Sequence, residues 1–282
     1  MGNRAQGFTL VELIIVISLA GIVAAMIGTV MGRQMEAYVD MNDRAQLVQM
    51  GQAAFKTMAR DIRGATPNSV RTNGAGTLIE FVPAVNVAAY RKALGDGGED
   101  ILDFTTQDNS FDVFADLVDA DTLLSSAQVV IYNLGLVSGG SPLLGSNLYA
   151  SNPGGAAHVI SAPGLTIQNN GGEDRILLDT AHQFSATSPT QRMYLVNGAA
   201  RYECTGNAIN RYTGYAIQES LSPGSAPAGA TQSLLVNQVT DCNFEYFSGN
   251  ASTEAMVIVT LTLSGRNQSL RLVRQIHLGN AP

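Results

Sequence analysis

Residues 8–31 read FTLVELIIVISLAGIVAAMIGTVM, the most apolar stretch of the chain. Of these 24 residues, 20 are apolar or glycine, and the exceptions are Thr9, Glu12, Ser18 and Thr29. An α-helix of this length extends roughly 36 Å, which exceeds the hydrocarbon core of a bilayer, about 30 Å thick. The stretch therefore predicts one membrane-spanning helix, around which the rest of the fold is organised.

Residues 1–7 precede this span and contain Arg4 but no acidic side chain. By the positive-inside rule a short basic end stays in the cytoplasm, so the sequence predicts that everything after Met31 is exported. The alternative is a cleaved secretory signal peptide, with small residues around Ala24. Glu12 argues against that alternative, because a charge inside an apolar span costs a few kcal/mol and usually marks a functional partner.

The composition disfavours several classes of function. The net charge is −7, and charged residues make up 14% of the chain, against about 25% in an average soluble protein. An acidic chain is a poor nucleic-acid binder, since phosphate contacts need a basic surface. The chain has only two cysteines and three histidines, so it has few of the residues that usually bind zinc. We therefore expect no nucleic-acid partner, no metal and no cofactor.

The sequence also lacks the common catalytic signatures. It has no G-x-S-x-G elbow, no H-E-x-x-H helix, no phosphate-binding loop with its lysine and no G-x-G-x-x-G turn. The three histidines, His158, His182 and His277, are far apart in sequence. We expect a protein that is not an enzyme. A membrane-anchored hydrolase remains the alternative if folding brings His158 or His182 beside a carboxylate and a nucleophile.

The helical pattern continues beyond the span. Four apolar residues and a glycine recur at spacings of 4, 4, 3 and 4, which places them on one face of a helix. They are Leu47, Gly51, Phe55, Met58 and Ile62. We predict one helix from Phe8 to about Arg63, with residues 8–31 as its transmembrane and assembly half and residues 32–64 as its amphipathic half.

Residues 65–282 have the pattern of a β-rich head. The predicted strands are Thr77–Val82, Gln128–Asn133, Met193–Val196, Ala199–Cys204, Val257–Leu263 and Leu270–Leu278. Asn197-Gly198 predicts a hairpin that joins the third and fourth of these strands. A sheet with one apolar face needs a cover, and the helix stripe offers one. The sequence therefore predicts an α+β fold in which the long N-terminal helix packs on an antiparallel β-sheet.

An insertion in the head is predicted around residues 95–172. Acidic residues crowd Gly95–Asp121, but their spacing does not fit a calcium-binding EF-hand loop. We predict a solvated acidic face there, with a calcium site as the alternative. Residues Val137–Ala157 are rich in Gly, Ser, Asn and Pro, which predicts a surface loop.

Cys204 and Cys242 are the only cysteines. The predicted topology places both outside the cytoplasm, where disulfides form. We predict a disulfide between them, and closing this loop of 38 residues would contribute about 4 kcal/mol by chain entropy. A pair of buried free thiols is the alternative.

The start of the chain resembles a known family. Gly7-Phe8-Thr9-Leu10-Val11-Glu12 and the apolar run that follows to Ile17 resemble the N-terminal cleavage and methylation motif of type IV pilins and of type II secretion pseudopilins. The resemblance implies that residues 1–7 are a leader, that prepilin peptidase cuts between Gly7 and Phe8, and that the new amine of Phe8 is methylated. It also implies a type IV pilin-like fold.

The resemblance gives Glu12 a role. Cleavage creates a cationic amine at the positive end of a helix dipole, which is unfavourable unless an anion lies nearby. The family interpretation is that Glu12 pairs with the Phe8 amine of a neighbouring subunit. The alternative is that Glu12 caps the start of its own helix, and both roles are compatible.

Other segments of the chain resemble one particular group within this family. Residues 55–71, 79–83, 188–189, 191–196, 202–204 and 277–282 resemble minor pilins of the mannose-sensitive haemagglutinin (MSHA) pilus, whereas the stretch 94–172 does not. The J-type minor pseudopilins of type II secretion are the close alternative. The resemblance implies a role in pilus initiation, at the tip or in biogenesis. The implied partners are prepilin peptidase, other pilins, the inner-membrane assembly platform and, before assembly, membrane lipid.

Overall fold

The computed structural model describes residues 8–94, 97–118, 121–152, 155–170, 172–249, 253–266 and 268–279. They form one helix, α1 (Leu10–Arg63), and strands that pair in antiparallel sheets. The strands are β1 Arg71–Thr72, β2 Leu78–Phe81, β3 Ala84–Ala89, β4 Asp108–Asp112, β5 Thr122–Leu124, β6 Gln128–Ile131, β7 Val137–Ser138, β8 Ser141–Pro142, β9 Leu165–Gln168, β10 Arg175–His182, β11 Arg192–Val196, β12 Ala199–Thr205, β13 Ala208–Tyr215, β14 Thr231–Val236, β15 Val239–Phe247, β16 Ala255–Ser264 and β17 Ser269–Leu278.

Helix α1 is continuous and ends where the sequence indicated. It contains 54 residues and is therefore about 81 Å long. The Gly64 amide closes its last turn by donating to the Arg60 carbonyl over 3.2 Å. All five stripe residues are buried in the head. At Gly51 a Cβ would overlap Leu272 of β17, so only glycine lets the helix approach the sheet this closely without rearrangement.

Two sheets pack their apolar faces on this part of α1. One has the strand order β1-β2-β12-β13-β14, and the other has the order β15-β16-β17. The alternating residues of β16, Val257, Val259, Leu261 and Leu263, are all fully buried in the same core as the helix stripe. The α+β prediction is thus confirmed: one apolar N-terminal helix packs on antiparallel sheets.

The predicted hairpin at Asn197-Gly198 is wrong. Strand β11 pairs with β3 and β6, whereas β12 pairs with β2 and β13, so the turn carries the chain from one sheet to another. Both strands are almost entirely buried, and each pairs with two other strands, which leaves no free edge for a β11–β12 pair. The tight hairpin joins β12 to β13 through Gly206-Asn207, with Gly206 at φ 60° as a type II′ turn requires.

A second core lies away from the helix. Sheets of order β4-β10-β9-β5 and β3-β11-β6 enclose it, and Tyr90, Phe111, Ile131 and Phe184 are among its fully buried members. The segment predicted as an insertion supplies β4 to β9. Within the predicted loop 137–157, the described residues form only the short strands β7 and β8.

Candidate functional site

Thr9 starts helix α1. Its backbone is extended (φ −78°, ψ 149°), and its side chain accepts a hydrogen bond from the Glu12 amide at 3.4 Å. This is the N-cap arrangement, which satisfies one of the free amides of the first turn. Phe8 lies just before the cap and is 81% exposed. Gly7, on the other side of the expected cleavage site, lies outside the described residues.

Glu12 does not complete the cap. Two other polar side chains of the span bond back to their own helix: Ser18 Oγ donates to Ile14 O at 2.7 Å and Thr29 Oγ1 to Met26 O at 2.9 Å. In the part of the chain that the structure describes, no group donates a hydrogen bond to the Glu12 carboxylate. The cap is therefore made by Thr9, and the Glu12 carboxylate has no hydrogen-bond donor among the described residues.

The first half of α1 has the length and polarity of a membrane span. Its most apolar 18-residue window has a mean hydropathy of 2.7, and none of that window is buried by the rest of the described chain. Large apolar side chains such as Ile14, Val23 and Ile27 are about half exposed all round the helix. A helix that is apolar on every face needs lipid or other apolar helices around it. By its length and composition, this one helix near the N-terminus could cross a membrane once.

The last turn of α1 is fixed to the head through Asp61. Tyr202 donates its hydroxyl to Asp61 Oδ2 at 2.7 Å, and Arg211 Nε donates to the same oxygen at 2.8 Å. Burial and the bond to Asp61 raise the pKa of Tyr202. The sequence did not single out Asp61. The available signal was an acid at the negative end of a helix dipole, where it is unfavourable without a tertiary partner.

The structure joins Cys204 of β12 and Cys242 of β15 in a disulfide, with the Cα atoms 6.6 Å apart. The bond connects the two sheets that pack on α1. Both residues belong to or contact the core that holds the helix stripe. The disulfide therefore restrains the two walls of the helix-binding core relative to each other.

The histidines His158 and His182 approach each other but make structural contacts. His158 Nδ1 accepts the Ile160 amide at 3.2 Å, so its Nε2 carries the proton and donates to the Ala150 carbonyl at 3.1 Å. His182 Nε2 donates to the His158 carbonyl at 3.1 Å. Both rings border a cavity of about 480 Å³. Three of the four ring nitrogens bond to backbone groups, so the arrangement does not resemble a nucleophile with its general base.

The acidic stretch is only partly a solvated face. Asp112 is 1% exposed and forms an ion pair with Arg175, whose Nε lies 2.6 Å from Asp112 Oδ1. Asp103 accepts hydrogen bonds from the side chains of Thr105 and Thr106. Asp96 and Asp119 lie outside the described residues. Among the residues that are described, no group of three or more His, Cys, Asp or Glu side chains could hold a metal ion.

The two histidines predict a loss of stability in mild acid. Burial lowers the pKa of His158 and of His182 below the ordinary value of 6.5, so the unfolded chain binds more protons than the folded one. Their contribution is complete above pH 6.5 and is lost as the pH falls through their folded pKa values. The urea midpoint of the detergent-solubilised chain should therefore fall between pH 7.5 and pH 5.

The carboxylates act at lower pH. Burial, the largest single influence, acts to raise the pKa of Asp112. Hydrogen bonds donated by the Arg175 side chain and by the Asp100 backbone amide outweigh it and hold that pKa below 3.8. Its stabilisation is therefore lost only below that pH.

His158→Gln with His182→Gln should flatten the urea midpoint between pH 7.5 and pH 5, while His277→Gln, on an exposed position of β17, should not. An unchanged pH profile in the double variant would contradict this assignment.

Comparison with known proteins identifies the N-terminal segment. The family model for the prokaryotic N-terminal methylation motif matches residues 2–28, which include the Thr9 cap, Glu12 and most of the exposed apolar half of α1. No curated protein and no solved structure shows significant similarity to the chain. The motif supports a pilin or pseudopilin that is processed by prepilin peptidase and assembled with other pilins.

Proposed function

We propose that the chain is a minor pilin of a type IV pilus, of the kind represented by MshO in MSHA pili. The observation that carries the proposal is the methylation motif at residues 2–28, placed at the start of a helix whose membrane-length half is left uncovered by its own head. Such a helix has a stable environment in only two places, the bilayer and a bundle of similar helices. A pilin occupies both, one before assembly and the other after it.

In this proposal the first residues act in sequence. Prepilin peptidase removes residues 1–7 by cutting between Gly7 and Phe8, and the new Phe8 amine is methylated. Glu12 then neutralises the amine of a neighbouring subunit as the helix leaves the membrane. Two observations support this role: Thr9 already caps the helix, and within residues 8–279 as described no group donates a hydrogen bond to the Glu12 carboxylate. The mechanism is assembly, and it requires no catalytic residue.

The size of the head favours a minor subunit. A second core stands beside the one that holds α1, and it is built largely from the segment between residues 95 and 196. A bulky head is difficult to repeat at every position of a dense fibre, whereas a subunit at the tip or in an initiation complex has free space on one side. We therefore place it in initiation, at the tip or in biogenesis, with its head periplasmic before assembly and extracellular afterwards.

The second candidate is a J-type minor pseudopilin of type II secretion. Its supporting observation is the same motif, which pilins and pseudopilins share. The two candidates differ in the phenotype of a strain that lacks the chain. Loss of surface pili with normal secretion supports the minor pilin, and loss of secretion with normal pili supports the pseudopilin.

The processed protein should begin at Phe8 and carry one methyl group. Prepilin peptidase leaves the apolar helix on the subunit, whereas signal peptidase would remove most of it. Mass spectrometry of the chain isolated from native membranes measures the new terminus directly. A terminus near Met26 would support the signal-peptide alternative and contradict the proposal. A Gly7→Leu variant is the control, because a large side chain at the cut should leave residues 1–7 attached.

A further inference from the structure

Strand β17 forms one edge of the β15-β16-β17 sheet. It pairs with β16 over its whole length, from Ser269 opposite Ser264 to Leu278 opposite Ala255. On its other side, no strand pairs with it among the residues that the structure describes. At about 3.3 Å per residue, its ten residues present roughly 33 Å of sheet edge.

The register identifies the backbone groups that point outward from this edge. In an antiparallel ladder, the amide and carbonyl of a residue point to the same side, and the side alternates along the strand. The Phe244 amide donates to Gly76 O at 2.7 Å, so Phe244 points away from β16. Its partner Val259 then points towards β17 and forms a hydrogen-bonded pair with Arg274.

It follows that the alternate residues of β17 direct their amides and carbonyls away from the sheet. Beyond Ser269, the first residue of the strand, these residues are Arg271, Val273, Gln275 and His277. No described residue forms a backbone hydrogen bond with them on that side. All four are exposed, Val273 by 57%. An open edge of this length is a template for pairing with another strand.

The edge is also locally basic. The segment from Ser264 to Leu278 contains Arg266, Arg271 and Arg274 and no acidic residue, in a chain that has 16 basic and 23 acidic residues. The three arginines are exposed. None of them forms an ion pair within the described part of the chain. The open hydrogen-bonding groups and the positive charge therefore coincide on one strand.

We propose that β17 is a docking strand for an extended acidic segment of a different protein, which adds a strand to this edge. The outward amides and carbonyls supply the main-chain hydrogen bonds, and the three arginines select a chain that carries glutamate or aspartate. A second copy of β17 is disfavoured, because antiparallel self-pairing centred on Val273 brings the arginines of both copies together without an acid.

The test uses the full chain in detergent micelles and two synthetic ten-residue peptides. The first contains glutamate, threonine and valine, with glutamates on both faces of the extended peptide, and the second has lysine at each glutamate. Amide hydrogen exchange is measured by NMR at Arg271, Val273, Gln275 and His277. With the glutamate peptide at millimolar concentration, exchange at these amides should slow by roughly tenfold, and the lysine peptide should leave it unchanged.

Two variants separate charge from backbone pairing. The double variant Arg271→Glu with Arg274→Glu should reverse the preference for the glutamate peptide, so that the lysine peptide protects the edge. The control Arg44→Glu, on an exposed position of α1, should leave the preference for the glutamate peptide unaltered. Val273→Pro removes one outward amide without breaking a bond to β16, and it should abolish protection by either peptide.

Three outcomes would overturn the proposal. If neither peptide protects the edge, the arginines serve only to keep the edge from aggregating. If both peptides protect it equally, charge does not select the partner. If exchange slows with protein concentration in the absence of peptide, the occupant is a second copy.

Discussion

Replacing Glu12 with alanine is expected to abolish assembly of the chain into a filament while leaving its membrane insertion and processing intact. The substitution makes the span more apolar, so insertion should not suffer. What is lost is the anion that, in the proposed assembly, faces the Phe8 amine of the neighbouring helix. A buried charge without its partner costs about 3–5 kcal/mol, which is enough to exclude the subunit from a packed bundle.

The N-cap of α1 does not depend on the Glu12 side chain. Thr9 caps the helix through the Glu12 amide, a bond that the backbone retains when the side chain is shortened to alanine. Helix α1 should therefore start at the same place in the variant. Failure to assemble would then reflect the loss of an intermolecular partner rather than a frayed helix.

The measurement is made in a strain that lacks the native copy. Cleavage and methylation at Phe8 are confirmed by mass spectrometry, surface pili are counted by microscopy, and secretion of a type II substrate is followed in parallel. Glu36→Ala, an exposed glutamate of the same helix beyond the span, is the matched control and should assemble normally. Normal piliation and secretion with the Glu12→Ala chain incorporated would show that the carboxylate has no role in assembly.

Removal of the disulfide is expected to destabilise the head by about 4 kcal/mol, from the chain entropy of a closed loop of 38 residues. The effect should reach α1, because the bond joins β12 to β15 and both sheets pack on the helix stripe. Cys204→Ala together with Cys242→Ala avoids leaving a lone thiol. The free energy of unfolding is measured by urea titration of the full chain in detergent.

The control for this variant is the reduced wild-type chain. Reduction should lower the wild-type stability to about that of the double variant and leave the variant unchanged. Non-reducing peptide mapping of periplasmic material should recover a peptide that links Cys204 to Cys242. Free thiols that alkylate in that material before reduction would contradict the bond.

The long-range contacts were poorly predictable from sequence. Asp112 belonged to a stretch predicted to be solvated, but the fold buries it against Arg175, which lies 63 residues later in the chain. Nothing in the local sequence around Asp61 indicates Tyr202 and Arg211, which the structure places beside it. Local composition counts charges but does not identify the partners that neutralise them. Those partners are set by strand order, which joins residues far apart in sequence.

The Asn197-Gly198 turn shows the same limit. Its residues are typical of a two-residue hairpin, yet the strands on either side belong to different sheets. The Gly206-Asn207 turn, which does close a hairpin, has a comparable local signal. The two turns differ in which strands pair with the strands on either side of them. That pairing depends on the packing of the whole head.

By itself, the sequence determined the long helix, its apolar first half, the face that packs on the head and the alternating strands at the C-terminal end. These features follow from periodicity and from the length of the apolar run, which act over a few turns of helix or a few residues of strand. The tertiary structure alone decided the order of the strands, the second core, the partners of the buried charges and the open edge of β17. These features depend on contacts between residues distant in sequence, whose pairing is selected by the burial of all the strands together.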